Sequence, residues 1–355
     1  MKKIKKLDIV YPSISYSPAT AYLFGVLESY RETNENIDLW IISNFLNPCI
    51  DIDLIDPDQP EDPLVYEEFF RKDIWYGCPF ISSSSITIDV ANHIVEGDFC
   101  KFVVSSIEAG YYVYANINKR YIPNYKSNRN ITHNMLIYGY DECNKEVNIA
   151  DFFRNRVFSF EKCSYENLNS AFKGLQKIWD CEKFSRVELF KYNEYANYKF
   201  KLHEIKSKLE DYIEGTDLLK RHYYMLFAYE YRNQGKIYWG TKYYDALRKM
   251  LEENRRYSSK TIQVLVMHKY IIKCGISILI KKKIVDCENL LYDANELMKA
   301  TEILRNRVIK LNILRGKELI ENEEDKKVIL EMISELEEMD INFTKNYLYV
   351  LSKIT

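Results

Sequence analysis

His133 and Asp151 are the two residues of this chain whose types and surroundings could do chemistry together. The histidine opens the run His133-Asn-Met-Leu-Ile-Tyr-Gly-Tyr-Asp141, and the aspartate closes Val147-Asn-Ile-Ala-Asp151. A third apolar run, Gly110-Tyr-Tyr-Val-Tyr-Ala-Asn-Ile-Asn118, precedes them. Apolar and β-favouring residues on both sides predict two strands, and Asp141 to Lys145 carries the turn chemistry of a hairpin between them. His133 and Asp151 then sit on neighbouring strands. A carboxylate beside an imidazole fixes its tautomer and stabilises its charged form, which is what a histidine base needs in order to activate a nucleophile. The competing readings are a satisfied core histidine at His133 and a turn cap at Asp151.

The elements that must position this pair follow from the distribution of proline. All eight prolines lie at or before Pro123, so the chain beyond it is free to form long helices. The first part is expected to mix loops with short strands, at Phe102–Ser105, Tyr111–Ile117, Met135–Tyr140, Glu146–Ala150 and Val157–Phe160. The second, from about Tyr195, is expected to be helical. Its candidate helices run near Tyr198–Ile213, Leu218–Asn233, Trp239–Glu253, Ser259–Ile280, Cys287–Leu311 and Lys326–Glu338, with a last short one to Leu351. Domain boundaries are expected at 1–190 and 191–355.

Composition narrows the function classes. The chain has 355 residues and 47% hydrophobic content, enough for sizeable cores in two domains. Its 50 basic and 52 acidic residues are interspersed, which leaves no electrostatic footprint for nucleic acid. Leu7–Ser17 is too short and polar for the apolar core of a signal peptide. Ile262–Ile280 is interrupted by His268, Lys269 and Lys273, so it reads as a buried helix rather than a membrane span. The eight cysteines show neither a C-x-x-C pair nor regular spacing, which gives no support to zinc or to a disulfide framework. Free thiols in a cytoplasmic protein are the simple expectation, with no cofactor and no metal. The acidic run Asp51–Asp62 invites a calcium reading, but Ile55 and Asp56 stand where an EF-hand wants an oxygen ligand and glycine. It is expected to be a solvated, proline-bearing loop. His268 reads as a buried or interface histidine. Tyr192, Tyr195, Tyr198, Tyr223, Tyr224, Tyr229, Tyr231, Tyr243 and Tyr244 are either a self-association surface, that of a homodimer, or the edges of amphipathic cores.

The stretch from a small-residue segment near the N-terminus through Ala109-Gly-Tyr-Tyr-Val-Tyr114, His133, Gly139-Tyr-Asp141 and Ile149-Ala-Asp151 resembles the butirosin-type acyltransferase N-terminal domain family. That family is a branch of the papain-like, peptidase C39-like proteins and includes the closthioamide amide synthetase. Lys236-Ile-Tyr-Trp-Gly-Thr-Lys-Tyr-Tyr244, Met267-His-Lys269 and Leu304-Arg-Asn-Arg-Val-Ile-Lys310 look like the helical tail that accompanies such domains. The resemblance implies an α+β chain, a papain-like cysteine-protease fold domain followed by an all-α helical domain. It implies an acyltransferase or amide synthase of thiotemplated natural-product biosynthesis, a nonribosomal pathway. The acyl group would pass from an acyl or peptidyl carrier protein, tethered through phosphopantetheine, to an amine.

The family's nucleophile is a cysteine at the start of the first helix, and this chain has no cysteine before Cys49. The matching region is Ser13-Ile-Ser-Tyr-Ser17-Pro-Ala-Thr-Ala-Tyr-Leu-Phe-Gly-Val-Leu-Glu28. Ser17 is the candidate for the nucleophile position, with Ser15 and Ala19 as alternatives; Ser17 also suits an ordinary helix N-cap followed by Pro18. A serine needs a well-placed base and an oxyanion hole to attack a thioester. The resemblance therefore leaves two other readings open. One is a cysteine-peptidase-like hydrolase using the same residues; the other is a non-catalytic relative, or an engineered nucleophile mutant, that binds a carrier protein or substrate.

Overall fold

The computed structural model describes residues 3–56, 59–66, 77–95, 97–154, 157–178, 186–218, 237–257, 259–316 and 320–354. Two compact units divide the chain, one made of Met1–Asn34 and Ile74–Asn197 and the other of Glu35–Asp73 and Tyr198–Thr355. This differs from a single expected break after residue 190, because residues 35–73 fold with the C-terminal part. In chain order, β1 (Ile4–Lys6) and α1 (Pro18–Ser29) belong to the first unit. The excursion α2 (Asn36–Asn44), β2 (Cys49–Asp56) and β3 (Gln59–Tyr66) belongs to the second. The chain then returns to the first unit with β4 (Ile81–Thr87), α3 (Ile88–Val95), α4 (Phe99–Glu108), β5 (Tyr112–Asn118), β6 (Thr132–Asp141), β7 (Glu146–Arg154), β8 (Val157–Ser164), α5 (Tyr165–Lys173) and β9 (Arg186–Tyr192).

An antiparallel seven-stranded sheet organises the first unit, in the order β4-β9-β5-β6-β7-β8 with β1 joined to β6. Alternation along the strands sends Val113, Ala115, Ile117, Met135, Ile137, Val147 and Ile149 into one core, closed by Phe99, Cys100, Val103 and Ile107 of α4 and Leu168, Ala171 and Phe172 of α5. The hairpin expected around Asp141 forms between β6 and β7. Asp141 Oδ1 accepts the backbone N–H groups of Cys143 at 2.8 Å and Asn144 at 3.1 Å, and Lys145 takes a left-handed φ of 55°. The expected strand at Phe102–Ser105 is instead the middle of α4. Its β-branched pair Val103-Val104 is a local strand signal, but a buried helical stripe and an N-cap from Asp98 to Lys101 N override it.

The second unit continues with α6 (Leu202–Glu214), β10 (Ile237–Trp239), α7 (Tyr243–Glu252), α8 (Ser259–Lys281), α9 (Glu288–Arg315) and α10 (Glu323–Ser352). It is mostly helical but not all-α, because β10, β2 and β3 form an antiparallel three-stranded sheet. The acidic run expected as a loop therefore lies largely in paired strands, with Asp51 opposite both Ile237 and Leu64. The helix expected from Trp239 begins only at Tyr243. Gly240 intervenes with φ 55°, where a Cβ would run into the Tyr212 carbonyl oxygen. The two last expected helices are one, α10, and the expected helix Leu218–Asn233 lies almost wholly outside the described residues.

Helix α8 is long and apolar enough to cross a membrane by length and composition, but 61% of its apolar window is buried within the protein. It packs against α2 and α9, and α10 packs against α6, α7 and α9. At its middle lies a polar cluster. Lys269 and Asp340 have fully buried side chains, 2.6 Å apart. The Lys269 ammonium also donates to Tyr212 Oη at 2.8 Å and to His268 Nδ1 at 3.0 Å, which uses all three of its protons. Tyr212 and Tyr244 both donate to Asp340 Oδ2. His268 Nε2 meets the Leu46 carbonyl at 2.8 Å; a carbonyl only accepts, so Nε2 carries the proton and Nδ1 receives the ammonium. Burial, and then the Lys269 charge, holds His268 well below its ordinary pKa, in keeping with this neutral tautomer.

Candidate functional site

Strand pairing brings the two sequence-identified residues together. β6 sets His133 opposite Ile117 of β5, and β7 carries Asp151 just past Ala150, the last β7 residue paired with β6. His133 Nε2 lies 2.8 Å from Asp151 Oδ2. The approach is close but not aligned as a hydrogen bond from the ring N–H. Asp151 is fully buried, and His133 is 7% exposed, so the imidazole is the member of the pair nearer solvent.

The carboxylate is held from several sides. Its Oδ1 accepts the Phe152 N–H at 2.7 Å, and its Oδ2 accepts the Tyr125 hydroxyl as well as facing His133. Burial alone would raise the Asp151 pKa. The close approach of His133, foremost, and the hydrogen bonds from Tyr125 and Phe152 outweigh it and hold the group below the usual carboxylate range. Asp151 therefore stays ionised, which is the state that can stabilise an imidazolium.

Tyr125 is the site residue that sequence reasoning missed. It lies in the segment between β5 and β6, in a short 3₁₀ turn that Pro123 opens and that ends at Lys126 with a left-handed φ of 51°. Its ring stands edge-on to the His133 ring, with centroids 5.3 Å apart and planes at 84°, and leans on Phe153 at 4.9 Å. The Lys119 ammonium sits 4.9 Å from the Tyr125 ring centroid. A tyrosine in an irregular loop carries no periodicity, and the only signal available in the sequence was its place between the strands of the motif.

Helix α1 packs against β6 and β7, the strands that carry the pair. Tyr22 of α1 donates to the Asn134 carbonyl, next to His133, at 3.3 Å. Burial, and then the Asp151 carboxylate, pushes the Tyr22 phenol well above its ordinary pKa. Ser17 is the N-cap of this helix, with extended φ −140° and ψ 155°, and Pro18 follows in the first turn. The Ser17 hydroxyl is 2.9 Å from Thr20 Oγ1 and accepts the Thr20 N–H at 3.4 Å. Among the described residues no hydrogen bond joins it to His133. The loop ahead of Ser17 is anchored where Glu28 accepts the Ser13 N–H at 2.9 Å and the Ser13 hydroxyl. Of the alternatives, Ala19 is buried and Ser15 is partly buried.

The other thiols and histidines of the described residues make none of the hydrogen bonds or ion pairs that hold this pair. Cys49, Cys78, Cys100 and Cys163 are buried free thiols; burial pushes Cys100 and Cys163 up to about 12 and raises Cys78 further. Thiols so protonated are poor nucleophiles. Cys181 and His222 lie outside the described residues, and His93 and His203 are exposed. Tyr243 and Tyr244 are fully buried, so these two belong to a core and not to a self-association surface, whereas Tyr195 is 88% exposed.

The arrangement can support an imidazole base backed by an ionised, firmly held carboxylate. No family model matches the chain, and no curated protein matches it.

Proposed function

We propose that the chain is an acyltransferase of papain-like type, an amide synthase that moves an acyl group from a carrier-protein thioester to an amine. The observation that carries this reading is the buried Asp151 carboxylate 2.8 Å from His133 Nε2, on strands against which α1 packs. In the reaction, His133 takes a proton from the nucleophile at position 17, and Asp151 compensates the imidazolium. The Ser17 oxygen bonds to the acyl carbon and the carrier thiolate leaves with a proton. An amine then attacks the acyl-enzyme, and the amide departs as Ser17 regains its proton. At the start of α1 Pro18 has no N–H and those of Thr20 and Ala21 are bonded to Ser17, so the Ala19 N–H is the backbone donor suited to the oxyanion.

One observation favours a second reading, a non-catalytic relative that binds an acylated carrier protein. The Ser17 hydroxyl is engaged with Thr20 inside its own helix turn rather than with His133. Intact-protein mass spectrometry after incubation with a panel of acyl-carrier thioesters separates the two, using the native chain, Ser17→Cys and Ser17→Cys/His133→Ala. An acyl adduct on the native chain supports a serine-competent transferase. An adduct on Ser17→Cys alone, reduced by His133→Ala, marks position 17 as the nucleophile site of a chain that now binds without reacting. Adducts on none of them, with carrier protein still retained on the native chain, favour the binding protein.

A further inference from the structure

Three donors converge on Asp151. The Phe152 N–H takes Oδ1, while the Tyr125 hydroxyl and His133 Nε2 share Oδ2. A carboxyl group has a broad, roughly two-fold χ2, so one hydrogen bond at Oδ1 leaves it free to swing. The second donor at Oδ2 stops that swing. Tyr125 is itself fixed by its ring contacts with His133 and Phe153 and by the closure of its loop. That loop is tied at its base by Asn118 Nδ2 to Asn130 Oδ1 at 3.1 Å and by Lys119 N to the Ile131 carbonyl at 2.9 Å.

We propose that Tyr125 is a positioning residue whose hydroxyl locks Asp151 Oδ2 against His133 Nε2 and so decides which imidazole nitrogen carries the proton. An ionised carboxylate oxygen 2.8 Å from a ring nitrogen repels a lone pair there and requires N–H. Nε2 is therefore the protonated nitrogen, and Nδ1 is left bare to accept a proton. No proton moves in the resting state; when Nδ1 accepts one, Asp151 remains ionised because Tyr125 and Phe152 keep donating to it. The inference rests on His133 being the base of the proposed reaction, but it concerns the resting imidazole alone.

The test is nitrogen NMR of the full chain with 15N-labelled histidine, at a pH where the imidazole is neutral. The chain has five histidines, and the His133 signals are assigned by their loss in His133→Gln. The native chain should show two well-separated ring-nitrogen signals for His133, with Nε2 protonated. Tyr125→Phe keeps the ring and removes the hydroxyl, and should draw the two signals together as the tautomers mix. Tyr125→Gln, which restores a donor, should recover part of the separation, and Tyr125→Leu should not. The His268 signals report in the same spectra that the second unit is folded. Should Tyr125→Phe disturb the first unit as a whole, the contrast between the Gln and Leu variants carries the test. Native-like His133 signals in Tyr125→Phe, or equal signals in the Gln and Leu variants, would overturn the proposal. Absence of an acyl adduct would sink the transferase reading and leave this pattern untouched, and the reverse also holds.

Discussion

Each unit buries a carboxylate within a cluster that holds a histidine, and the two arrangements differ in how fully the imidazole is engaged. In the second unit, Lys269 directs its three protons to Asp340, Tyr212 and His268, and His268 donates its Nε2–H to the Leu46 carbonyl. Both His268 nitrogens and the whole ammonium are thereby engaged, while Asp340 takes its three donors on Oδ2 and keeps Oδ1 buried without one. In the first unit, Asp151 is firmly held, but His133 is left with a close, unaligned approach at Nε2 and stands nearer to solvent. An imidazole bonded at both nitrogens serves helix packing; one left without an aligned bond retains a nitrogen that can still accept a proton. The contrast is between a staple and a site, drawn from much the same residue types.

The largest effect is expected at the Lys269–Asp340 pair. Lys269→Met or Asp340→Asn leaves a buried charge without its partner and is expected to cost about 3–5 kcal/mol in urea unfolding. The double variant Lys269→Met/Asp340→Leu should recover much of that loss, because a well-packed apolar pair avoids the desolvation of both charges. A single variant with native stability would show that the pair does not staple the helices.

Acid should then separate the two regions by pH window. His268 is held neutral in the fold, so the unfolded chain binds the extra proton. Stability from this group is present above the unfolded value, near pH 6.5, and declines below it by about 1.4 kcal/mol per pH unit until the lower folded value is reached. His268→Gln, which can still meet Leu46 and Lys269, should flatten that limb. Asp151 is also lowered, but from the carboxylate range. Its contribution is present above about pH 4 and is lost as pH falls through its lower folded value. Asp151→Asn should abolish this second limb and cost about 1–3 kcal/mol at neutral pH, read from unfolding midpoints between neutral and acid pH.

The smallest effect sharpens the role of Ser17. Ser17→Ala removes the cap of α1 and should cost about 1 kcal/mol, whereas Ser17→Asn caps as well and should leave stability near native. Any acyl transfer would end in both. Transfer surviving in Ser17→Asn would place the nucleophile elsewhere.

What was legible in the sequence follows the range over which each signal acts. The His133–Asp151 pair was legible because a hairpin makes it local: two alternating runs and a turn suffice. Long helices such as α8 and α9 were legible from proline-free apolar periodicity. The start of α7 was not, since the glycine that delays it answers to Tyr212 on another helix. The acidic run was read as a loop because its composition is that of a loop; its partner β10 lies far along the chain. Tyr125 was invisible for a related reason. Its role depends on a hydroxyl meeting Asp151 across a fold, and nothing in Pro-Asn-Tyr125-Lys announces that.

The split of the second unit across the chain has a temporal consequence. β2 pairs with β10, so residues 35–73 leave the ribosome well before the segment that completes their sheet. At cellular elongation rates that interval is roughly ten to thirty seconds. Ile37, Trp40, Ile41 and Ile50, all buried in the finished protein, must wait through it without their later partners. The first unit, by contrast, has its strands complete once Tyr192 has emerged. Nascent chains should therefore show the first unit protected from protease while α2 and β2 are still open to chaperones.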